Sequence, residues 1–169
     1  MKIRIYSILL VSVLLSLSVS AQGLKDEHKG VYRAYDFDAP RVDEPAPKGY
    51  EVFCLSHYGR HGSRFLYNEA EYDTLNVVLN RESLTATGEK VRDKFNENYP
   101  IFKGRAADLT ELGQKQHRLL ASRMMDDYPN LFRKGAEVYA FSSDRTRCMM
   151  SMYCFLDELR LCRNGLDIH

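Results

Sequence analysis

Beyond its first residues, the 169-residue chain has no long apolar run, no excess of charge of either sign and no cysteine spacing that suits a zinc ion. The longest apolar stretch runs from Ile5 to about Leu15, well short of the roughly 20 residues a membrane-spanning helix needs. It follows Met1-Lys2-Ile3-Arg4 and precedes Ser18-Val19-Ser20-Ala21, the pattern of a secretory signal peptide cut after Ala21. An exported protein, periplasmic or secreted and without a membrane span once the signal is gone, is therefore expected. No cysteine stands at the cleavage point, which argues against a lipid anchor. Without residues 1–21, and so without Lys2 and Arg4, 22 basic residues face 23 acids. So balanced a chain excludes a nucleic-acid binder with a broad basic face, and any recognition of anions must be local.

Four cysteines remain, Cys54, Cys148, Cys154 and Cys162. In an exported protein they can pair, and Cys54 with Cys148 is one option. Cys54 lies in an apolar run and the other three fall on one expected helix, so burial as small apolar residues is the simpler reading. No internal repeat or low-complexity tract is present.

Residues 22–50 are polar and carry Pro40, Pro45, Pro47 and Gly49, which reads as an extended lead-in with little regular structure. Residues 51–169 read as domain. Glu51–Ser56 is a short run of strand formers, long enough for a buried strand. Residues 69–80 place Ala70, Leu75, Val78 and Leu79 at helical spacing, and a second, charged helix opens at Thr85 and must stop by Pro100. A loop over 103–108 leads to a helix capped by Thr110 that carries Leu112, Leu119, Leu120 and Met124 and ends near Tyr128-Pro129. Residues 137–142 make a second strand, and an apolar helix follows from about Asp144. Strands separated by long helical crossovers point to an α/β domain with a parallel sheet. Two strands do not make such a sheet stable, so further chain is expected.

The end of the first strand carries the chemistry. His57-Tyr58-Gly59-Arg60-His61-Gly62-Ser63-Arg64 sets a histidine between two arginines in a glycine-bracketed turn. Guanidinium forks match phosphate oxygens and stay charged at any relevant pH. A neutral imidazole nitrogen is nucleophilic near pH 7 and can attack phosphorus. The second strand ends in Ser142-Ser143-Asp144-Arg145-Thr146-Arg147-Cys148, which by the same strand-end logic opens onto the same sheet edge beside a helix N-terminus. Arginines around one histidine suit phosphoryl transfer, where catalysis is mostly positioning and charge neutralisation.

These segments resemble a known family. Arg60-His61-Gly62-Ser63-Arg64 is similar to the R-H-G-x-R-x-P signature of the histidine acid phosphatases, Leu109-Thr110-Glu111-Leu112-Gly113 to their L-T-x-x-G helix start, and Ser142 to Ser151 to their downstream arginine motif. The string from His57 to Arg64 resembles most the bacterial multiple inositol polyphosphate phosphatases. The resemblance covers roughly residues 50–160. It implies a phosphoglycerate mutase-like layered parallel sheet with helices on both faces, here its N-terminal part, and hydrolysis of phosphomonoesters such as phytate without metal or cofactor. It makes His61 the nucleophile and Arg60, Arg64 and Arg147 the phosphoryl clamps. The resemblance prefers Arg147, which stands four residues before Ser151 at the family's spacing from arginine to a small helix residue, and Arg145 is the reserve substrate-binding candidate.

Two departures accompany the likeness. Leu66 replaces the family's proline, which alters the loop's stiffness more than its chemistry. The family's proton donor comes from a His-Asp or His-x-Glu pair, and none follows Arg147; Asp167-Ile168-His169 has the wrong order. A phosphate-binding fragment impaired in catalysis is therefore the alternative, since an alkoxide leaving without a proton loses roughly 10²- to 10⁴-fold in rate.

Other residues read more plainly. The i, i+4 spacing of His57 and His61 suggests a metal only on a helix, which Gly59 disfavours, so His57 frames the pocket or ends the strand. His117, among Gln114, Gln116 and Arg118, reads as solvated or locally bonded. Lys90, Arg92, Lys94, Lys103 and Arg105 would extend a site for a polyphosphorylated substrate, or simply line an exposed helix face with Glu89, Asp93 and Glu97. Met149, Met150 and Met152 read as core packing.

Overall fold

A computed structural model describes residues 35, 37, 46–81 and 83–169. The expected signal peptide and most of the lead-in lie outside the described residues. The chain divides into two units, and every element below belongs to the second, Asp36–His169. In chain order these are α1 (Glu69–Leu79), α2 (Ala86–Phe102), α3 (Glu111–Asp127), β1 (Glu137–Val138), α4 (Thr146–Cys162) and β2 (Asp167–Ile168). No helix among the described residues is long and apolar enough to cross a membrane.

Local chemistry explains where the helices begin. Thr85 and Thr110 each accept a hydrogen bond from the backbone N–H three residues on, at Gly88 and Gly113, both at 3.1 Å. Each answers one of the amides that a helix start leaves without a partner. Helix α4 begins at Thr146 with no such cap, Arg145 standing in the capping position. Helix α2 runs past Pro100 to Phe102, where the sequence led us to expect a stop. Its last turn is held by side chains: the Phe102 ring centroid lies 5.3 Å from that of Tyr72 on α1, 6.1 Å from Phe65 and 6.2 Å from Phe95. This aromatic packing outweighs one helical hydrogen bond lost to proline.

Helices α3 and α4 pack on each other and build the core from Ala121, Met125, Leu156 and Leu159, with Phe132 beside them. The buried face of α3 is Gly113, Gln116, His117, Ala121 and Met125, rotated from the leucine face expected; Leu112 is exposed. On α4 the buried residues are Ser151, Cys154, Leu156 and Leu159. Met152 packs against the core, whereas Met149 and Met150 are exposed, so the methionine cluster is only partly core. All four cysteines are free thiols: Cys154 is buried as expected, Cys54 and Cys162 are exposed, and Cys54 does not pair with Cys148.

The sheet departs furthest from expectation. Glu51–Ser56 forms no ladder, and Phe53 is 92% exposed. β1 is two residues long rather than six, and its parallel partner is β2, in register Glu137 to Asp167 and Val138 to Ile168. The layered sheet is thus reduced, among the described residues, to a two-stranded parallel ladder, which remains compatible with an α/β fold. The reason is physical: a strand exists only through a neighbour that answers its N–H and C=O groups, and a buried one needs cover on both faces. Neither is at hand for residues 51–56, where Leu55 alone packs against the core cluster.

Candidate active site

The segment Gly62–Leu66 has no helix or extended ladder of its own, yet neighbouring elements take up its backbone. Ser63 O accepts from both the backbone N and the Oγ1 of Thr110, each at 2.9 Å, and Ser63 N donates to Oε1 of Gln116 at 2.7 Å. Arg64 forms an isolated antiparallel bridge with Leu109; Phe65 N donates to Asp108 O at 3.0 Å and Ala107 N to Leu66 O at 2.7 Å. Leu66 N donates to the Tyr72 hydroxyl at 2.8 Å, a bond the family's proline, having no N–H, would not make. Gly62 N donates to Ser151 Oγ at 3.1 Å, and Ser151 Oγ donates in turn to Arg147 O at 2.8 Å. Loop, α3, α4 and α1 are thereby joined through polar groups that leave few alternatives.

Two glycines allow this approach. A Cβ on Gly62 would lie 2.4 Å from Gly113 O, and one on Gly113 would lie 2.2 Å from Ser63 O. The first turn of α3 therefore rests directly on the loop, backbone to backbone. This is the physical content of Thr110 and Gly113 at their spacing: one caps the helix and grips Ser63, the other clears the space.

The imidazole of His61 is half-buried, and its Nδ1 lies 2.8 Å from Gly62 O. A carbonyl only accepts, so Nδ1 carries the proton and donates, leaving Nε2 as the ring's lone pair in the neutral form. Arg64 donates to Phe65 O at 2.8 Å, and its guanidinium carbon lies 5.4 Å from the centroid of the Tyr67 ring. Arg147 lies over the same ring at 5.6 Å. Its Nε is buried with no hydrogen-bond partner. Arg60 and Arg145 are exposed, and Arg145 is 3.8 Å from Asp144. A cavity of about 230 Å³ opens between the 106–108 loop and the start of α4, lined by Asp108, Asp144, Arg145, Thr146 and Arg147; His61 is not on its wall. The structure thus brings Arg64 and Arg147 to one ring and ties the His61 turn to α4, while Arg60 and Arg145 are exposed.

Of the two readings offered for His117, solvated or locally bonded, the structure shows a bonded and buried ring. It is 6% exposed, and its ring bonds to the backbone of Arg60, immediately before His61. Burial is the largest influence on it and holds its pKa below the ordinary 6.5; the bond to Arg60 acts against this, and His57 and His61 push the same way as burial. His57 stacks on Phe155 of α4 with centroids 5.7 Å apart, so it props the turn as a ring rather than as a ligand. Gln116, His117 and Tyr67 were missed in the sequence. Gln116 and His117 share a helical face with Gly113, Ala121 and Met125, a signal concealed by the leucines on the adjoining face.

Of the charges considered for an extended site, Arg92 and Lys94 pair with Asp93 and Glu97 on the exposed side of α2, as a solvated face would. Arg105 lies over the Phe65 ring at 4.6 Å. Among the described residues one group has donor atoms close enough to hold a metal ion, Glu137, Asp167 and His169, all exposed at the β1–β2 ladder.

No match is found among curated proteins. Residues 56–157, more than half of the chain, match the sequence pattern of the histidine phosphatase superfamily (branch 2). That span holds the loop, Thr110 and Gly113, Arg147 and Ser151, and it carries with it phosphatase-type hydrolysis of a phosphorylated small molecule. The chain belongs to the histidine phosphatase superfamily, branch 2.

Proposed function

We propose that the chain supplies the nucleophile and clamps of an exported phosphomonoesterase of the histidine acid phosphatase type, acting on inositol polyphosphates such as phytate. The observation that carries this reading is the 2.8 Å contact from His61 Nδ1 to Gly62 O, because in the neutral imidazole it sets the lone pair on Nε2. Nε2 attacks phosphorus, an Nε2–P bond forms, the ester P–O bond breaks, and water later returns the imidazole and releases phosphate. Arg60, Arg64 and Arg147 neutralise the equatorial oxygens, with Arg145 as reserve. The buried, unpartnered Nε of Arg147 supports its part, since such a donor is costly until an acceptor arrives.

The departing alkoxide needs a proton, and the described site presents no group assigned to deliver it. The second reading is a phosphate-binding chain poor in turnover. One experiment addresses both. An aryl phosphate, whose leaving group departs without a proton, is expected to leave an acid-labile, alkali-stable phosphoryl label on the protein. The label disappears in His61→Ala; its retention there sinks the nucleophile assignment. Release of phosphate from phytate by the same sample decides between full turnover and binding alone.

A further inference from the structure

Tyr67 lies outside the His61 and Arg147 motifs, yet it is the point where the two meet. Arg64 reaches it from the segment after His61 and Arg147 from the first turn of α4, with guanidinium carbons 5.4 and 5.6 Å from the centroid of its ring. The ring is 51% exposed, so it stands at the mouth of the loop rather than in the core. Arginine is attracted to the face of an aromatic ring, and the attraction grows where the cation is partly desolvated. Arg147 is such a case, half-buried with Nε out of water and unpartnered. Two like charges held near one ring repel each other, and a dianion placed between or beside them removes that repulsion. Long arginine side chains also lose rotamer freedom on binding, a loss reduced when a ring has already confined them.

We propose that Tyr67 is a positioning residue that holds Arg64 and Arg147 as one preorganised binding pair for a phosphoryl dianion. It acts through its ring face, not its hydroxyl, and by way of the two arginines rather than on the reacting bond. The proposal rests on the reading of Arg64 and Arg147 as phosphoryl clamps.

The test compares the full chain with Tyr67→Phe and Tyr67→Leu. Two quantities are measured: the arginine Nε–H resonances by NMR, which a neighbouring ring displaces whether or not anion is present, and the Kd for inorganic phosphate by titration. Tyr67→Phe should keep both resonances in place and the Kd within about twofold, whereas Tyr67→Leu should move both resonances and weaken phosphate about tenfold. In an Arg147→Ala background the same Tyr67→Leu change should cost distinctly less, because half of what the ring holds is already gone. A tyrosine that merely stabilises the fold would cost the same in both backgrounds, and that equality overturns the proposal. Arginine resonances unmoved by Tyr67→Leu overturn it as well, independently of any binding. If the wild type binds phosphate and Tyr67→Leu binds it equally, only the role of Tyr67 falls. If the wild type binds none, the clamp reading falls and takes the anion-binding role of Tyr67 with it.

Discussion

The backbone N–H of Gly62 donates to the hydroxyl of Ser151, 89 residues further along, at 3.1 Å. The same oxygen donates to the carbonyl of Arg147 one turn back on α4. A single buried hydroxyl therefore ties the residue after His61 to the turn that carries Arg147. Replacing Ser151 with Ala removes the acceptor and strands a buried amide, a loss of about 1–3 kcal/mol. Urea unfolding of Ser151→Ala should show that loss, and aryl phosphate labelling of His61 should slow with it. Unchanged stability would mean that water or a shifted loop satisfies Gly62 equally well.

Leu66 is where the chain departs from the family's proline, and the departure has a local answer. Its N–H donates to the Tyr72 hydroxyl on α1 at 2.8 Å. Restoring proline by Leu66→Pro should destabilise the chain rather than stiffen it, because the ring removes the donor and leaves a buried hydroxyl to find another partner. Tyr72→Phe removes the other half of the bond, strands the Leu66 amide, and should cost about 1–3 kcal/mol. Since both changes break one contact, the double variant should cost clearly less than the two losses added, a double-mutant cycle read from urea midpoints.

Gly113→Ala tests the close approach of α3 to the loop. A methyl group 2.2 Å from Ser63 O cannot be accommodated without moving backbone, although alanine is the better helix former. Helix propensity alone predicts a gain of about 1 kcal/mol, whereas the clash predicts a net loss. A lowered thermal midpoint together with weakened phosphate binding is expected, and a raised midpoint would show that the two backbones are not in contact.

What was legible in the sequence follows the range of the interactions involved. Thr85 and Thr110 announce their helices because a cap is a contact across three residues, and the four helices among the described residues lie close to where spacing and caps place them. The face of α3 was misjudged because leucine counts for more than glutamine or histidine in any apolar pattern, while the buried face is made by what Gly62, Ser63 and Arg60 require. Residues 51–56 have the composition of a strand and no partner strand among the described residues, and pairing is not a property of six residues. The motif arginines were visible as a set, but Tyr67 was not: ring contacts from positions three before it and eighty after it leave no local trace.

His117 gives the chain a pH dependence whose sign follows from burial. The folded state holds the imidazole among His57, His61 and the backbone of Arg60, and its pKa lies below the ordinary 6.5. An unfolded chain titrates this group near 6.5, so as pH falls through that value the unfolded state takes up a proton that the folded state still refuses. Stability is therefore full above about pH 6.5 and declines as pH falls toward the folded pKa, below which the loss is complete. Carboxylates titrate mostly below this window, near pH 4, which separates their effect from that of the histidine. The urea midpoint should fall between pH 7 and pH 5, and His117→Gln should flatten that slope, because glutamine keeps a donor for Arg60 and cannot take a proton. If the slope persists undiminished in His117→Gln, the buried histidine is not its source.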